Sequence, residues 1–352
     1  MVARFAAVCR ALPHIATHDQ HYSSSFFDSK YMKRFFAIAC IAPLTALLPS
    51  AALAQAFPAK PLTLVVAYAP GGFGDALART IAERLTLSLK QAVLVENKPG
   101  ATGAIASKFV AKANPDGYTL LLGQTGEMAI NSAVMKDAGY DPVKDFKAIA
   151  LVGDSPLALV APPNAPFSTV REIAQFAGKG GVTSYASSGT ATPGHLAAEA
   201  MIGALKVDMT HVPYKGAGPA LTDVLGGHVS FFYSSAGATF GHIKAGKLKA
   251  IAVSSSTRMA ALPNTPTVAE SIPGFQFGLW GGVFAPAGTP NEVTALLNRE
   301  INKVLAEPAA KQKIEDLGAI VRPLSSDEFT EFVKREAAKF ATVVKQIGIK
   351  PE

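Results

Sequence analysis

Cysteine is nearly absent. The chain has 352 residues and two cysteines, Cys9 and Cys40, and both precede Ala54. From Gln55 onward there is none, which excludes a disulfide scaffold, a cysteine zinc site and a thiol nucleophile. Charge is sparse too: 17% of residues are charged, for a net +7. Arg4, Arg10, Lys30, Lys33 and Arg34 against Asp19 and Asp28 place +3 of this before Ala54. The rest is spread along the chain and makes no footprint for nucleic acid. No apolar run free of charge is long enough to span a bilayer. His211, His228 and His242 lack metal-ligand spacing, and no G-x-S-x-G elbow occurs. No metal and no cofactor is called for.

The N-terminus is where apolar residues concentrate. Met32 is followed by Lys33 and Arg34, a mostly apolar stretch Phe35–Leu48, and small residues at Ala52-Leu53-Ala54 before Gln55. This is the form of a secretory signal, too short and too interrupted (Pro43) to be a membrane span. The expectation is export to the periplasm with cleavage after Ala54, residues 1–31 being an extension upstream of the effective start. Cys40 follows Ile38-Ala39 as in a lipoprotein site, but the apolar stretch continues past it. The remaining chain of about 300 residues suggests two lobes rather than one core.

Strand and helix patterns alternate from there. Leu62–Tyr68 is a continuous β-type apolar run, of the kind buried in a parallel sheet. Asp75–Leu89 carries Leu77, Ile81, Leu85 and Leu89 on one helical stripe. Ala92–Glu96 reads as a strand, Gly103–Lys112 as a helix, and Tyr118–Gly123 as a strand. A second set starts at Leu157. It comprises strand 157–162, a helix capped by Thr169 with Glu172, strand Val182–Tyr185 and helix Pro193–Leu205. It continues with strand Met209–Val212, helix Gly218–Leu225, strand Val229–Tyr233, helix Phe240–Ala245 and strand Leu248–Val253. Two further helices open at Thr289-Pro290 and at Ser325-x-x-Glu328, the second with a stripe of Phe329, Phe332, Val333, Phe340, Val343, Val344 and Ile347. Repeated βαβ units predict an α/β fold with parallel sheet and helices on both faces.

In such sheets ligands sit beyond the carboxyl ends of strands, beside helix N-termini. Three turns there expose backbone N–H groups among small residues. The first is Ala69-Pro70-Gly71-Gly72-Phe73-Gly74-Asp75, with Asp75 placed as an N-cap. Its pattern is neither G-x-G-x-x-G nor a Walker A loop. The second, Ser187-Ser188-Gly189-Thr190-Ala191-Thr192-Pro193-Gly194-His195, offers four hydroxyls at a helix start and suits a carboxylate. His195 reads either as a general base or as a structural histidine. The third is Pro213-Tyr214-Lys215-Gly216-Ala217-Gly218, where Tyr214 can lend a hydroxyl and Lys215 a charge or simply face water.

Together these stretches resemble a known family. AYAPGGFGDALAR (67–79), VENKPGATGAIAS (95–107), PDGYTLLLG (115–123), SSGTATPGHLAAE (187–199), VPYKGAGPALTDVLGGHV (212–229), GHIKAGKLKAIAVSSSTR (241–258) and WGGVFAPAGTP (280–290) follow the order found in the Bug (Bordetella uptake gene) receptors. Those are the extracytoplasmic solute-binding components of tripartite tricarboxylate transporters. The resemblance implies a two-lobed periplasmic-binding-protein fold of the Venus-flytrap, type II-like kind. One lobe would be 55–156 plus 281–352, the other 157–280, joined by a hinge crossed through LALVAP and VFAP. It implies a small organic acid held between Ala69–Asp75 and Ser187–Thr192, largely by backbone groups.

The chain departs from the family pattern where Ser230 and Ser234 replace common aspartates, which argues against an amino-acid ligand. Phe73, with Phe231, Phe232 and Tyr233, favours an apolar or aromatic acid unless those strand aromatics are core. Gln124, Thr125, Gly126 and Glu127 end another strand at the cleft, and Trp280, the one tryptophan, lies at the hinge. The expected protein is a monomeric receptor and no enzyme. Its expected partners are the membrane permease subunits, or a sensor's outer domain. Two other readings remain open at this point: an exported enzyme using His195 and Asp75, and an anion receptor of an ABC transporter.

Overall fold

The computed structural model describes residues 57–179 and 184–351. The signal-like stretch and Val182, at the start of one expected strand, lie outside the described residues.

The first strands form where the apolar run is densest. β1 (Leu62–Val66) has Leu62, Leu64, Val65 and Val66 all buried, as a strand covered on both faces requires. It is followed by α1 (Phe73–Leu89), β2 (Val93–Asn97), α2 (Ala104–Ala111) and β3 (Thr119–Gln124). β2 and β3 flank β1 in parallel. A π-helical turn, Gly126–Ile130, then leads into the short α3 (Asn131–Val134).

β4 (Phe146–Ala161) is a single strand of 16 residues. Its first part, Phe146–Pro156, pairs with β9 (Gly278–Pro286). Its last part, Leu157–Ala161, pairs with β7 (Phe231–Ser235) and β8 (Lys249–Val253). β4 therefore passes from one sheet into the other at Pro156 and Leu157. LALVAP lies in the second sheet and VFAP in the first. Between β4 and β7 come α4 (Val170–Ala177), β5 (Ser184–Ser187), α5 (Pro193–Leu205), β6 (Thr210–Pro213) and α6 (Ala217–Leu225). α7 (Ala236–Lys244) follows β7. After β9, the chain closes with α8 (Asn291–Ala306), α9 (Pro308–Asp316) and α10 (Ser326–Gln346).

The strand order is β2-β1-β3-β9-β4-β7-β5-β6, with β8 on β4. The expected all-parallel sheet is corrected to a mixed one, because β9 returns antiparallel between β3 and β4. Sequence alternation cannot register that return, since β9 comes about 150 residues after the strand beside it. One apolar cluster, with Leu77, Leu85, Leu122, Val283 and Leu297, sits under the first sheet. Another, with Val160, Phe232 and Val224, sits in the second. A larger one runs between them through Trp280, Tyr233 and the buried stripe of α10.

Side-chain hydroxyls cap α4, α5 and α10. Ser325 and Glu328 form a reciprocal capping box. At α4 the Thr169 hydroxyl accepts from Glu172 N–H, but the Glu172 carboxylate takes Ser168 N–H, so the box is opened by one residue. Thr289 does not cap α8. Pro290 holds that position, and Lys147 Nζ donates to the Thr289 carbonyl at 2.6 Å. Among the described residues no helix is long and apolar enough to cross a membrane.

Candidate ligand-binding site

A cavity of about 480 Å³ opens between the ends of the two sheets. Four helices begin at its wall. Gly72, Phe73 and Gly74 bring the start of α1, Thr192, Pro193 and Gly194 that of α5, Gly216 and Ala217 that of α6, and Ser234 and Ser235 that of α7. Tyr68, Thr102, Gln124 and Gly126 complete the polar lining, and Leu157, Ala191, Tyr233 and Leu279 the apolar lining. Among the described residues, none of the lining is charged. Each helix start carries unpaired N–H groups and the positive end of a dipole, so the field in the cavity favours an anion without any basic side chain.

Of the residues singled out from the sequence, Gly72, Phe73, Gly74, Gln124, Ser188, Thr192 and Ser234 line this cavity. Ser234 is 4% exposed and its hydroxyl has no partner among the described residues. Gln124 is buried, and its carboxamide makes no hydrogen bond there either, reaching the cavity instead. A Cβ on Gly74 would run into that carboxamide, so this glycine is dictated by close approach.

Some of the other predicted residues support the wall from behind. Asp75 is not an N-cap but the third residue of α1, and Gly72 is the cap. Its carboxylate accepts from Gly71 N–H at 2.9 Å, from Arg79 Nε at 2.9 Å and from Asn97 Nδ2 at 3.0 Å. The Arg79 guanidinium, with those donors, holds its pKa at about 2. Asp75 thus pins Gly71, whose φ of +85° suits glycine. Ala69 and Pro70 are exposed in the same turn and do not reach the cavity. Thr125 is fully buried and turned toward β9, where its hydroxyl accepts Trp280 N–H at 2.8 Å.

The second loop is braced similarly. Ser187 is buried, with its Oγ 2.6 Å from His211 Nε2 and hydrogen-bonded to Gly189 O at 2.9 Å. The Thr192 hydroxyl donates to Gly189 O at 2.8 Å. Gly189 and exposed Thr190 lie in the turn but off the cavity. His195 is buried, and its Nδ1 accepts Ala191 N–H at 3.0 Å, holding Ala191 at a φ of +57°. The His195 ring stacks on His211 at 3.9 Å. Burial lowers the His195 pKa to about 4, so it is neutral at pH 7. With Nδ1 occupied and the ring outside the cavity, it has the structural role. Tyr214 turns its hydroxyl to Asp223 on α6, and Lys215 is exposed.

Tyr68, Thr102 and Gly216 are lining residues that the sequence reading did not name as binding residues, whereas Ala191 lies within the expected loop Ser187–Thr192. The signal for Gly216 was present in its loop. Thr102 stands at a φ of +50°, which no local pattern announced. Phe231 and Phe232 are fully buried core, whereas Tyr233 reaches the cavity from the same strand.

The family model described as "Tripartite tricarboxylate transporter family receptor" matches residues 77–349. The chain belongs to this receptor family. BugT of Bordetella pertussis (strain Tohama I) is 34% identical over 322 residues, spanning 91% of this chain and 99% of that protein. An R. palustris protein solved with adipate superposes with a TM-score of 0.75 at 33% identity, over 84% of this chain and 100% of that one. MatC from Rhodopseudomonas palustris, with bound malate, gives 0.71 at 33% identity, over 82% and 100%. The two-lobed periplasmic-binding-protein fold is thus shown, and the receptor is a substrate-binding protein, not an enzyme. A similar solved structure is named as the periplasmic binding protein BugD.

Proposed function

We propose that the receptor captures a small organic acid in the uncharged cavity and presents it to the permease subunits of a tripartite tricarboxylate-type transporter. The observation that carries this is the convergence of four helix N-termini on a cavity without a charged side chain. A carboxylate is the common anion whose oxygens match such N–H arrays, and enclosure strengthens those bonds. Adipate and malate, in the two similar structures, are both dicarboxylates. The wall of Phe73, Leu157 and Leu279 favours a ligand with an apolar middle, and no carboxylate in the lining would hold a ligand ammonium. Ala69–Asp75 and Ser187–Thr192 act as the two clasps, with Gly72, Phe73, Gly74, Ser188 and Thr192 facing the acid and Asp75, Ser187 and His195 bracing the loops.

The two sheets would act as lobes, 55–156 with 281–352 against 157–280, hinged where β4 crosses at Pro156 and near Gly278. The acid shifts an open–closed equilibrium by binding the closed form better. Cleavage after Ala54 would deliver a monomer to the periplasm, where the closed form meets the permease or a sensor's outer domain.

The test is a thermal-shift screen of residues 55–352 against aliphatic dicarboxylates, citrate-like acids, aromatic acids and acidic amino acids. At 100 times its dissociation constant a ligand adds about 2.7 kcal/mol, a rise of a few degrees. A shift with one acid class, the acid recovered intact, supports the reading. No shift across the panel opposes it.

A further inference from the structure

Directly behind the cavity lies a buried acid with no cation among the described residues. Glu127, in the π-helical turn, is 0% exposed. One carboxylate oxygen accepts Gln124 N–H at 2.8 Å and the other accepts the Tyr68 hydroxyl at 2.9 Å. Tyr68 itself lines the cavity, as does Gly126. A Cβ on Gly126 would lie 2.6 Å from the Tyr68 hydroxyl oxygen, so the glycine clears the space around that hydroxyl. The Tyr68 O–H therefore stands between a buried carboxyl group and the place of an anionic ligand. A single proton cannot serve two anions facing each other across one hydroxyl, and like charges at this range oppose double occupancy.

The described surroundings supply no compensating charge. The turn after β1 brings Tyr68 and the segment after α3 brings Tyr140, whose hydroxyl donates to the Glu127 backbone carbonyl at 2.6 Å. Lys108 on α2 lies against Gly139 instead. On α10, which packs over the turn, Lys334 pairs with Glu331 and Lys339 with Glu336. The stretch Ala101–Gly103 contributes Thr102 and no titratable group. Burial raises the Glu127 pKa to about 7. Burial also raises Tyr68 and Tyr140, which stay protonated, while it lowers His195 to about 4 and lowers His211 as well.

We propose that Glu127 and Tyr68 form a proton relay to the cavity, so that capture of an anionic acid is coupled to uptake of one proton by Glu127. The proton comes from solvent and settles on the Glu127 oxygen facing Tyr68. The new Glu127 O–H donates to the Tyr68 oxygen, and the Tyr68 O–H turns to the ligand carboxylate. The Gln124 N–H bond stays in place throughout. Binding then weakens as pH rises above the pKa of the ligand-free protein, by up to tenfold per unit, because each capture must draw a scarcer proton. The inference rests on the acid-capture reading for its ligand, but the state of Glu127 is measurable without one.

Two measurements test it. The first is the urea stability of ligand-free wild type and Glu127→Gln from pH 4.5 to 8.5. A folded-state pKa raised above the unfolded value means stability present at low pH and lost as pH rises toward 7. Wild type should lose that increment and Glu127→Gln should not; parallel curves overturn the relay. The second is calorimetric titration of adipate in buffers of different ionisation enthalpy at pH 7.5. Wild type should take up a substantial fraction of one proton per adipate, while Glu127→Gln and Tyr68→Phe should take up almost none. Adipate binding by wild type without proton uptake overturns the relay and leaves the receptor reading intact.

Discussion

The carboxamide of Gln124 occupies the space that a Cβ on Gly74 would fill. The first turn of α1 and the end of β3 thus meet at one point of the cavity wall. Gly74→Ala should push Gln124 out of place while leaving both elements formed. The expected result is at least tenfold weaker acid binding, about 1.4 kcal/mol, with a melting temperature within a few degrees of wild type. Unchanged affinity in calorimetry would remove Gln124 from the site.

Asp75 fixes the turn that leads into α1 and lies off the cavity. Its folded pKa of about 2 lies below the usual carboxylate value, so its stabilisation is full above pH 4 and is lost as pH falls toward 2. Because Arg79 is half exposed, a discounted figure of roughly 1–2 kcal/mol applies. Asp75→Asn should lose about that much in urea at pH 7, and the loss should shrink as pH approaches 2. An equal loss at both pH values would refute the charge-based account.

His195 gives a second pH dependence of opposite origin. The imidazole must stay neutral to accept Ala191 N–H. Its folded pKa of about 4 means that stability is full above 6.5 and falls from there down to 4, by roughly 3 kcal/mol at most. His195→Asn keeps an acceptor but does not titrate. Its stability between pH 6.5 and 4 should therefore be flatter than that of wild type, as read from denaturant midpoints.

Thr125 ties β3 to Trp280 beside the crossing of β4. Thr125→Val preserves shape but leaves Trp280 N–H buried without its partner, at a cost of about 1–3 kcal/mol. Trp280 is fully buried, with Nε1 on Glu336 at 3.3 Å. Its emission should shift on adding a bound acid if the crossing strands bend on closure. Emission unchanged at saturating acid would place the bending elsewhere.

Most single elements were legible because their signals are local. The stripe of α10, its capping box, Pro193 at the start of α5 and the apolar run of β1 each depend on neighbours within a turn or a strand length. The glycine and hydroxyl loops were legible as turns before helices for the same reason. Strand direction was not, since β9 pairs with β3 and β4 across long sequence distances. Nor was the side to which a loop residue turns. Thr125 and Ser187 are as polar as Ser188, yet Trp280 and His211 claim them.

The sequence by itself determined the α/β alternation, helix starts such as those of α4, α5 and α10, and the poverty of charge. Those follow from periodicity, capping chemistry and composition, which act over a few residues. Only the tertiary structure decided that four helix starts share one cavity, and that Asp75 and His195 brace its wall from behind. It alone placed Glu127, one polar residue among many in the chain, without a counter-charge one hydroxyl away from that cavity. Burial and the distance between charges are properties of the packed chain, and they fix where a proton or an acid can sit.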